Sequence, residues 1–309
     1  MSSDNALKMI YFFLLIFSLS SFTAEETVLK GKVVDTNGQA VHLALVFNSD
    51  LSIGAYTDEN GEFILITNAP VPELEVFALG FSRKRIEIGS DPGFLNIRLE
   101  NLTHEIEEII VKPCPKVEFT IGVEEGAKLS ITLGSSSRYS YQAGKSLPTS
   151  YGQEITAVDI HVVNDQLRPG FFRLRIYELD SIGVPGKDIL IENVIVRVPR
   201  LRLRRPLQVD LTDYNLRSPE TGIFVAMEWL PGEQNLQSLT SRDSEGKRLE
   251  RKMSIIGLGL VRTAESPEYK MWSKRDEGEW YDLNIILSDF LEPGQVNLPA
   301  IRVHLRDCD

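Results

Sequence analysis

Three aromatic residues near the C-terminus have the types and spacing of a saccharide-binding surface. Trp272, Trp280 and Tyr281 flank a short stretch, residues 275–278, whose composition is typical of a hairpin turn. Sugars present C–H faces that stack on aromatic rings, so paired indoles on one sheet would suit a glycan. The same spacing also fits two tryptophans that pack as partners in a core. The sequence leaves both interpretations open.

A second candidate surface is an arginine-rich segment in an otherwise acidic chain. Arg200, Arg202 and Arg204 alternate with Leu201 and Leu203. In a strand, this alternation places the arginines on one face and the leucines on the other. The cationic face predicts an anionic partner, such as lipopolysaccharide or an acidic glycan. A solvated edge strand is the alternative, because charged side chains on an edge prevent association between sheets.

Motifs for catalysis and metal binding are incomplete. His104 and Glu107 have the H-x-x-E spacing of a zinc-binding pair, but only His161 and His304 follow as further histidines. A phosphate-binding loop would need a glycine where Tyr139 stands. We therefore predict no catalytic residues, no metal and no cofactor. A glycoside hydrolase with paired carboxylates remains as an enzymatic alternative, because 44 acidic residues always allow some pair to be imagined.

Length and charge limit the class of protein. The chain has 309 residues, which suggests about two domains. It contains 44 Asp and Glu against 33 Lys and Arg, for a formal net charge of −11 at pH 7. A nucleic-acid binder needs a surplus of cationic residues to neutralise phosphates, so this balance argues against that function.

The N-terminus has the features of a secretory signal peptide. Lys8 precedes an unbroken apolar run over residues 9–17, and small residues follow where a signal peptidase cleaves. We predict that residues 1–23 are removed, and that the mature chain is exported to the periplasm or the outer-membrane surface without a transmembrane segment. Export would permit a disulfide between Cys114 and Cys308, and two free thiols are the alternative.

Residues 27–100 contain short alternating segments separated by turn signals. The D-x-N-G sequences at 35–38 and 58–61 predict hairpin turns. Together with GKVVD at 31–35 and ALGF at 78–81, they resemble the carboxypeptidase regulatory-like domain. This resemblance implies a seven-stranded, transthyretin-like Greek-key sandwich without catalytic residues, of a kind found in exported proteins of the Bacteroidetes type.

The rest of the chain predicts a linker and a second β-domain. Residues 101–125 are acidic and then apolar, which is typical of a linker. Within 126–309, apolar residues alternate with polar ones, as over 172–177, whereas 223–230 is apolar on both faces, like a central strand. We predict an all-β chain whose larger C-terminal domain is a jelly-roll-like antiparallel sandwich without a buried reaction centre. This half resembles β-sandwich modules of exported bacterial proteins, some of which bind carbohydrate.

These features support three functional hypotheses. The first is a non-catalytic cell-envelope protein whose C-terminal sandwich binds a glycan or another envelope component, with the N-terminal domain as a spacer. The second is a structural or assembly subunit of an outer-membrane complex, attached to a partner protein through an exposed strand or the acidic linker. The third is a glycoside hydrolase. We rank the first highest because the sequence contains no complete catalytic set.

Overall fold

The computed structural model describes residues 26–50, 53–89, 92–102, 116–123, 129–133, 139–164, 168–199, 205–232, 235–242, 246–264, 268–287 and 292–308. Several sequence predictions fall outside these residues: the signal peptide 1–23, much of the linker 101–125, and the side chains of His104, Cys114, Arg200, Arg202 and Arg204. Among the described residues, no helix has the length and apolar character needed to cross a bilayer.

The N-terminal domain contains seven strands, as the sequence predicted. They are β1 (Thr27–Val34), β2 (Leu45–Phe47), β3 (Gly54–Tyr56), β4 (Glu62–Thr67), β5 (Glu73–Phe77), β6 (Lys84–Glu87) and β7 (Phe94–Arg98). One sheet has the order β4-β1-β7, and the other has the order β3-β2-β5-β6. Every second side chain points between the sheets, where Val33, Val46, Phe63, Leu65 and Val76 form the core.

The two D-x-N-G sequences form tight turns. The second is not the hairpin that the sequence predicted, because it connects β3 and β4, which lie in different sheets. Asp35 accepts hydrogen bonds from the backbone N–H groups of Asn37 and Gln39, both at 2.8 Å. Asp58 accepts equivalent bonds at its own turn. Gly61 has a φ of 76°, and a Cβ there would lie 2.4 Å from the Val33 carbonyl oxygen. Only glycine fits this position, because the turn requires both a positive φ and a close backbone approach.

The C-terminal domain supplies the remaining strands and two short helices. The helices are a 3-10 turn, Thr212–Tyr214, and an α-helix, Leu283–Leu287. The strands are β8 (Lys116–Val123), β9 (Leu129–Ile131), β10 (Tyr141–Leu147), β11 (Glu154–Ile160), β12 (Val162–Val163), β13 (Gly170–Leu179), β14 (Pro185–Asp188), β15 (Ile195–Val198), β16 (Leu207–Asp210), β17 (Ile223–Trp229), β18 (Leu236–Arg242), β19 (Arg248–Ser254), β20 (Gly257–Ala264), β21 (Met271–Arg275), β22 (Tyr281–Asp282), β23 (Gln295–Pro299) and β24 (Ile301–Cys308).

Two antiparallel sheets of this domain enclose its main core. The larger sheet has the order β14-β13-β17-β10-β21-β22, with β15 also paired to β13, and the second has the order β16-β11-β24-β8. Leu174 and Val225 of the first sheet share a buried cluster with Val158 and Val303 of the second. Trp229 lies in the same core, where its indole N–H donates to the Ile256 carbonyl oxygen at 2.8 Å. The all-β prediction is confirmed.

The second domain begins earlier than the sequence analysis placed it. Residues 116–123, assigned there to the linker, form β8 and pair with β24 along its whole length. Phe119 and Ile121 lie two positions apart and pack against the main core. The apolar alternation of a strand therefore continues inside the stretch that composition alone marked as a linker.

Candidate functional site

The outer face of the larger C-terminal sheet carries buried charged side chains. Along β13, the side chains of Phe172 and Leu174 enter the core, so Arg173 and Arg175 point to the opposite face. The sequence predicted this alternation. It did not predict that the arginines would be only 2% and 0% exposed. A second layer of structure must therefore cover this face.

These arginines converge on one carboxylate of the neighbouring strand, β17. Arg173 donates to both oxygens of Glu228, at 2.7 and 2.9 Å, and Arg175 donates to Oε2 at 3.1 Å. Arg175 also forms two bonds with Asp188, at 2.9 and 2.7 Å, while Arg173 donates to Asn193 at 2.7 Å. Burial alone would raise the pKa of Glu228, but the two guanidinium groups outweigh it and lower the pKa to about 2. The network is thus charged and internally matched at neutral pH.

The N-terminal domain provides the cover. In β2, Val46 points into the N-terminal core, whereas Leu45 and Phe47 point to the other side of their sheet and are still only 2% and 3% exposed. The turn at Gly80 also meets the second domain, since a Cβ there would lie 3.0 Å from the Ile191 carbonyl oxygen. The N-terminal sheet β3-β2-β5-β6 therefore packs on the charged face of the C-terminal sheet.

Polar contacts fix the position of the two domains. The Tyr56 hydroxyl lies 2.8 Å from Ser140 Oγ and 3.0 Å from Asp276 Oδ1. The Ser140 backbone N–H donates to the same Asp276 oxygen at 2.8 Å. Arg83 of the N-terminal domain also approaches Glu277, at 3.4 Å. Burial raises the pKa of Asp276 to about 6, although these donors partly oppose the shift.

The Tyr56 hydroxyl offers a direct test of this junction. We expect Tyr56→Phe to lower the free energy of unfolding by about 1–2 kcal/mol, because the buried oxygens of Ser140 and Asp276 lose a partner. Urea titration followed by tryptophan fluorescence measures the change. Tyr151→Phe is the matched control, since Tyr151 is 75% exposed, and it should have no measurable effect. Equal stability of wild type and Tyr56→Phe would show that the contact contributes nothing.

The structure brings two of the three predicted aromatic residues, Trp272 and Trp280, into one small cluster and leaves Tyr281 outside it. Trp272 and Trp280 are half-buried and pack with Tyr177 and Phe224 on the outer face of the larger sheet. The Trp280 ring makes edge contacts with Tyr177 and Phe224 at centroid distances of 5.4 and 5.1 Å. Trp272 donates its indole N–H to the Gly183 carbonyl oxygen at 3.0 Å. Tyr281 lies on the opposite face of this hairpin and is 36% exposed.

The histidines weighed in the sequence analysis for a zinc site can be located only in part, because His104 lies outside the described residues. Over the described part of the chain, no three His, Cys, Asp or Glu side chains are grouped to hold a metal ion. His304 instead belongs to a surface network, in which its Nε2 lies 2.8 Å from Asp159 and Arg302 donates to the same carboxylate at 2.8 Å. Of the predicted arginine-rich segment, only the flanking Arg205 is described, and it is exposed.

One buried lysine lies apart from the charged face. Lys145 of β10 shares the core side of its strand with Ala143 and Leu147 and is 0% exposed. Burial lowers its pKa to about 7. Its ammonium lies 5.6 Å from the ring centre of Tyr269. This lysine belongs to the sequence AGKS at 143–146, which resembles the end of the phosphate-binding loop excluded above because of Tyr139, and the structure places it within a strand.

A cleft of about 570 Å³ opens where the two domains meet. Its N-terminal wall includes His42, Leu43, β3 and the Asp58 turn, and its C-terminal wall includes Tyr139, Pro231 and Gly232. Leu43 has a φ of 59°, which leucine rarely adopts. Thr57 holds this conformation, because its hydroxyl donates to the Val41 carbonyl oxygen at 2.6 Å and accepts from the Ala44 N–H at 2.9 Å. The cleft is therefore built from a constrained backbone.

Comparison with known proteins identifies the first domain. Residues 29–111 match the family model of the CarboxypepD_reg-like domain, which confirms the predicted carboxypeptidase regulatory-like domain. The match covers about a quarter of the chain and leaves the second domain unassigned. No curated protein matches the sequence.

Solved structures give only distant similarities. The major pilin subunit of Bacillus cereus is 10% identical, with 78% of this chain and 72% of that chain covered and a TM-score of 0.19. A streptococcal ancillary pilin is 12% identical, with 75% and 59% covered and a TM-score of 0.22. A DUF3823 family protein from Bacteroides ovatus is 10% identical, with 89% and 99% covered and a TM-score of 0.19. Similarities this weak carry no functional argument.

Proposed function

We propose that this protein is a non-catalytic component of the cell envelope in which the two β-sandwiches act as one rigid unit. The observation that carries the proposal is the buried junction between the domains, where the Tyr56 hydroxyl contacts Ser140 and Asp276 and lies within electrostatic range of Arg173 and Glu228. In this proposal the N-terminal domain is more than a spacer, because it covers polar groups of its neighbour. A rigid unit suits a protein that holds a partner at a fixed distance and orientation.

The state of the buried charges supports a structural role. Strongly shifted pKa values are typical of active sites, but structural ion-pair networks shift them as well. Here Glu228 is held by two guanidinium groups, and Arg175 has a second carboxylate partner in Asp188. None of these four groups lines the cleft at the domain junction. All four belong to the larger sheet of the second domain, so their geometry favours stabilisation of that sheet over chemistry on a substrate.

Location in the envelope rests on the signal-peptide pattern and on the CarboxypepD_reg-like domain. In-cell crosslinking followed by fractionation tests it. We expect the mature chain, shortened by about 23 residues, in the envelope fraction and crosslinked to an envelope component. Recovery of the full-length chain in the cytosol, or chemical turnover of a substrate lost on a single carboxylate substitution, would contradict the proposal.

Glycan binding is a second candidate, favoured by the exposed Tyr281, which lies on the face of the hairpin opposite Trp272 and Trp280. Substitution of either tryptophan would also disturb the cluster with Phe224, so Tyr281 is the informative position. If this edge binds a saccharide, Tyr281→Ala should weaken binding about fivefold, equivalent to ~1 kcal/mol. A glycan array followed by titration calorimetry measures it, with Tyr151→Ala as the control. Absence of any glycan binding, or unchanged affinity in Tyr281→Ala, would exclude this surface.

A further inference from the structure

We propose that the cleft at the domain junction binds residues 200–205 of a second copy of this chain, as a β-strand added to β3. This inference goes beyond the proposed rigid unit, which would survive its failure. It concerns how copies associate, whereas the buried junction concerns how the two domains of one copy are joined. Four features of the cleft and of the segment carry it.

The first feature is the free edge of β3. This strand ends the order β3-β2-β5-β6, so over the part of the chain that the structure describes it pairs with β2 alone. The backbone N–H of Thr57 donates to Ala44, and the N–H of Asn48 donates to Ile53, which fixes the hydrogen-bonded pairs of this ladder. In an antiparallel ladder, the residues between such pairs direct their N–H and C=O groups outward. Gly54 and Tyr56 therefore present backbone donors and acceptors along the cleft.

The second feature is an aliphatic floor. Ile64 and Ile66 of β4 line the cleft. Their side chains are 59% and 39% exposed, because they alternate along the strand with the core residues Phe63 and Leu65. Two apolar side chains that are two positions apart on a strand match an incoming strand with the same spacing. Exposed apolar side chains next to free backbone groups are the combination that strand addition uses.

The third feature is charge. The residues that line the cleft include the carboxylates of Asp58 and Glu59 and contain no lysine or arginine. Burial lowers the pKa of His42, so its imidazole is neutral at pH 7 and leaves the cleft negative. A cationic strand would be favoured over an anionic one at this position.

The fourth feature is the segment itself, which has the matching pattern. Arginines at 200, 202, 204 and 205 alternate with Leu201 and Leu203, in a chain whose net charge is −11. The segment connects β15 to β16, two strands of the same sandwich, and Arg205 at its end is exposed. Each copy therefore carries both a cleft and a segment that fits it.

Blocking the edge of β3 tests the proposal. Gly54→Pro removes an outward N–H without removing a bond to β2, and proline is tolerated on edge strands for this reason. Gly54→Ala is the matched control, because its Cβ would make only an ordinary contact, 3.4 Å from Leu45 Cδ1. Sedimentation equilibrium from about 10 µM to about 1 mM should show self-association of wild type and Gly54→Ala, weakened about tenfold or more in Gly54→Pro. Thermal unfolding should confirm that both variants are folded.

Charge exchange identifies the occupant. Glu59→Arg and Arg202→Glu should each weaken self-association. A mixture of the two variants should restore it, because the cleft of the first variant and the segment of the second again carry opposite charges. A wild type that stays monomeric over this concentration range would overturn the proposal. Self-association that is equal in Gly54→Pro and Gly54→Ala, or unaffected by Arg202→Glu, would overturn it as well.

Discussion

Replacement of Glu228 by glutamine is expected to lower the free energy of unfolding by about 3–5 kcal/mol. The amide keeps the size of the side chain but removes the negative charge between Arg173 and Arg175, which are 2% and 0% exposed. Removal of one partner from a buried ion pair leaves the other charge buried without compensation, which accounts for the size of the effect. Urea unfolding monitored by circular dichroism measures it as a lower midpoint.

A surface carboxylate supplies the matched control for this experiment. Glu118 accepts hydrogen bonds from Arg306 at 3.1 and 2.8 Å, but its side chain is 69% exposed. Glu118→Gln should cost less than about 1 kcal/mol, because water already screens that pair. A Glu228→Gln variant as stable as Glu118→Gln would mean that the buried network does not hold the charged face together.

Asp276→Asn is expected to change how stability depends on pH. Burial raises the folded-state pKa of Asp276 to about 6, whereas an unfolded aspartate titrates near pH 4. The folded chain therefore binds more protons between these values, and the stability that Asp276 contributes falls as the pH rises from about 4 to about 6. Asparagine carries no charge and should remove this loss, leaving the variant up to about 3 kcal/mol more stable at pH 7 and similar to wild type at pH 4.

The backbone suits this substitution. Asp276 has a φ of 48°, in the left-handed region that asparagine also adopts, and the amide oxygen can still accept from the Ser140 N–H. Urea titrations at half-unit steps between pH 4.5 and 7 measure the difference between variant and wild type. The exposed Asp213 is the control site, since Asp213→Asn removes a carboxylate that is not buried. If the unfolding free energies of Asp276→Asn and wild type differed by the same amount at every pH, that result would contradict a buried, partly protonated carboxyl at position 276.

The contribution of Glu228 to stability has the opposite pH dependence and changes over a lower pH range. Its folded-state pKa of about 2 lies below the unfolded value, so its contribution is complete above about pH 4.5 and is lost as the pH falls toward 2. The two carboxyl groups can therefore be distinguished in one set of titrations. Urea titrations above pH 4.5 therefore measure mainly the contribution of Asp276 to stability.

Local patterns predicted the strands and turns because those depend on nearby residues. The alternation around Phe63 and Leu65 defines which side of β4 enters the core, and the aspartates at 35 and 58 define their turns through bonds to residues two and four positions away. The same reasoning predicted the alternation of β13. None of these features requires knowledge of a distant part of the chain.

The junction between domains could not be predicted in this way, because it joins residues far apart in sequence. Tyr56 and Asp276 are separated by 220 positions, and nothing near either residue indicates the other. The cover on the outer face of β17 did leave a signal: the segment over 223–230 is apolar on both faces, and Phe224 and Ala226 lie on the face outside the main core. A strand that is apolar on both sides is covered on both sides, and Trp272 and Trp280 of the second domain pack on Phe224 and Ala226 there.

Scanning calorimetry tests the central claim, that the two sandwiches form one unit, most directly. If the junction around Tyr56 and Asp276 joins them, the full-length mature chain unfolds in a single transition whose calorimetric and van't Hoff enthalpies agree. Glu228→Gln then lowers the midpoint of that one transition. Two separate transitions in the wild type, with Glu228→Gln shifting only one of them, would show that the domains unfold independently and would contradict the account.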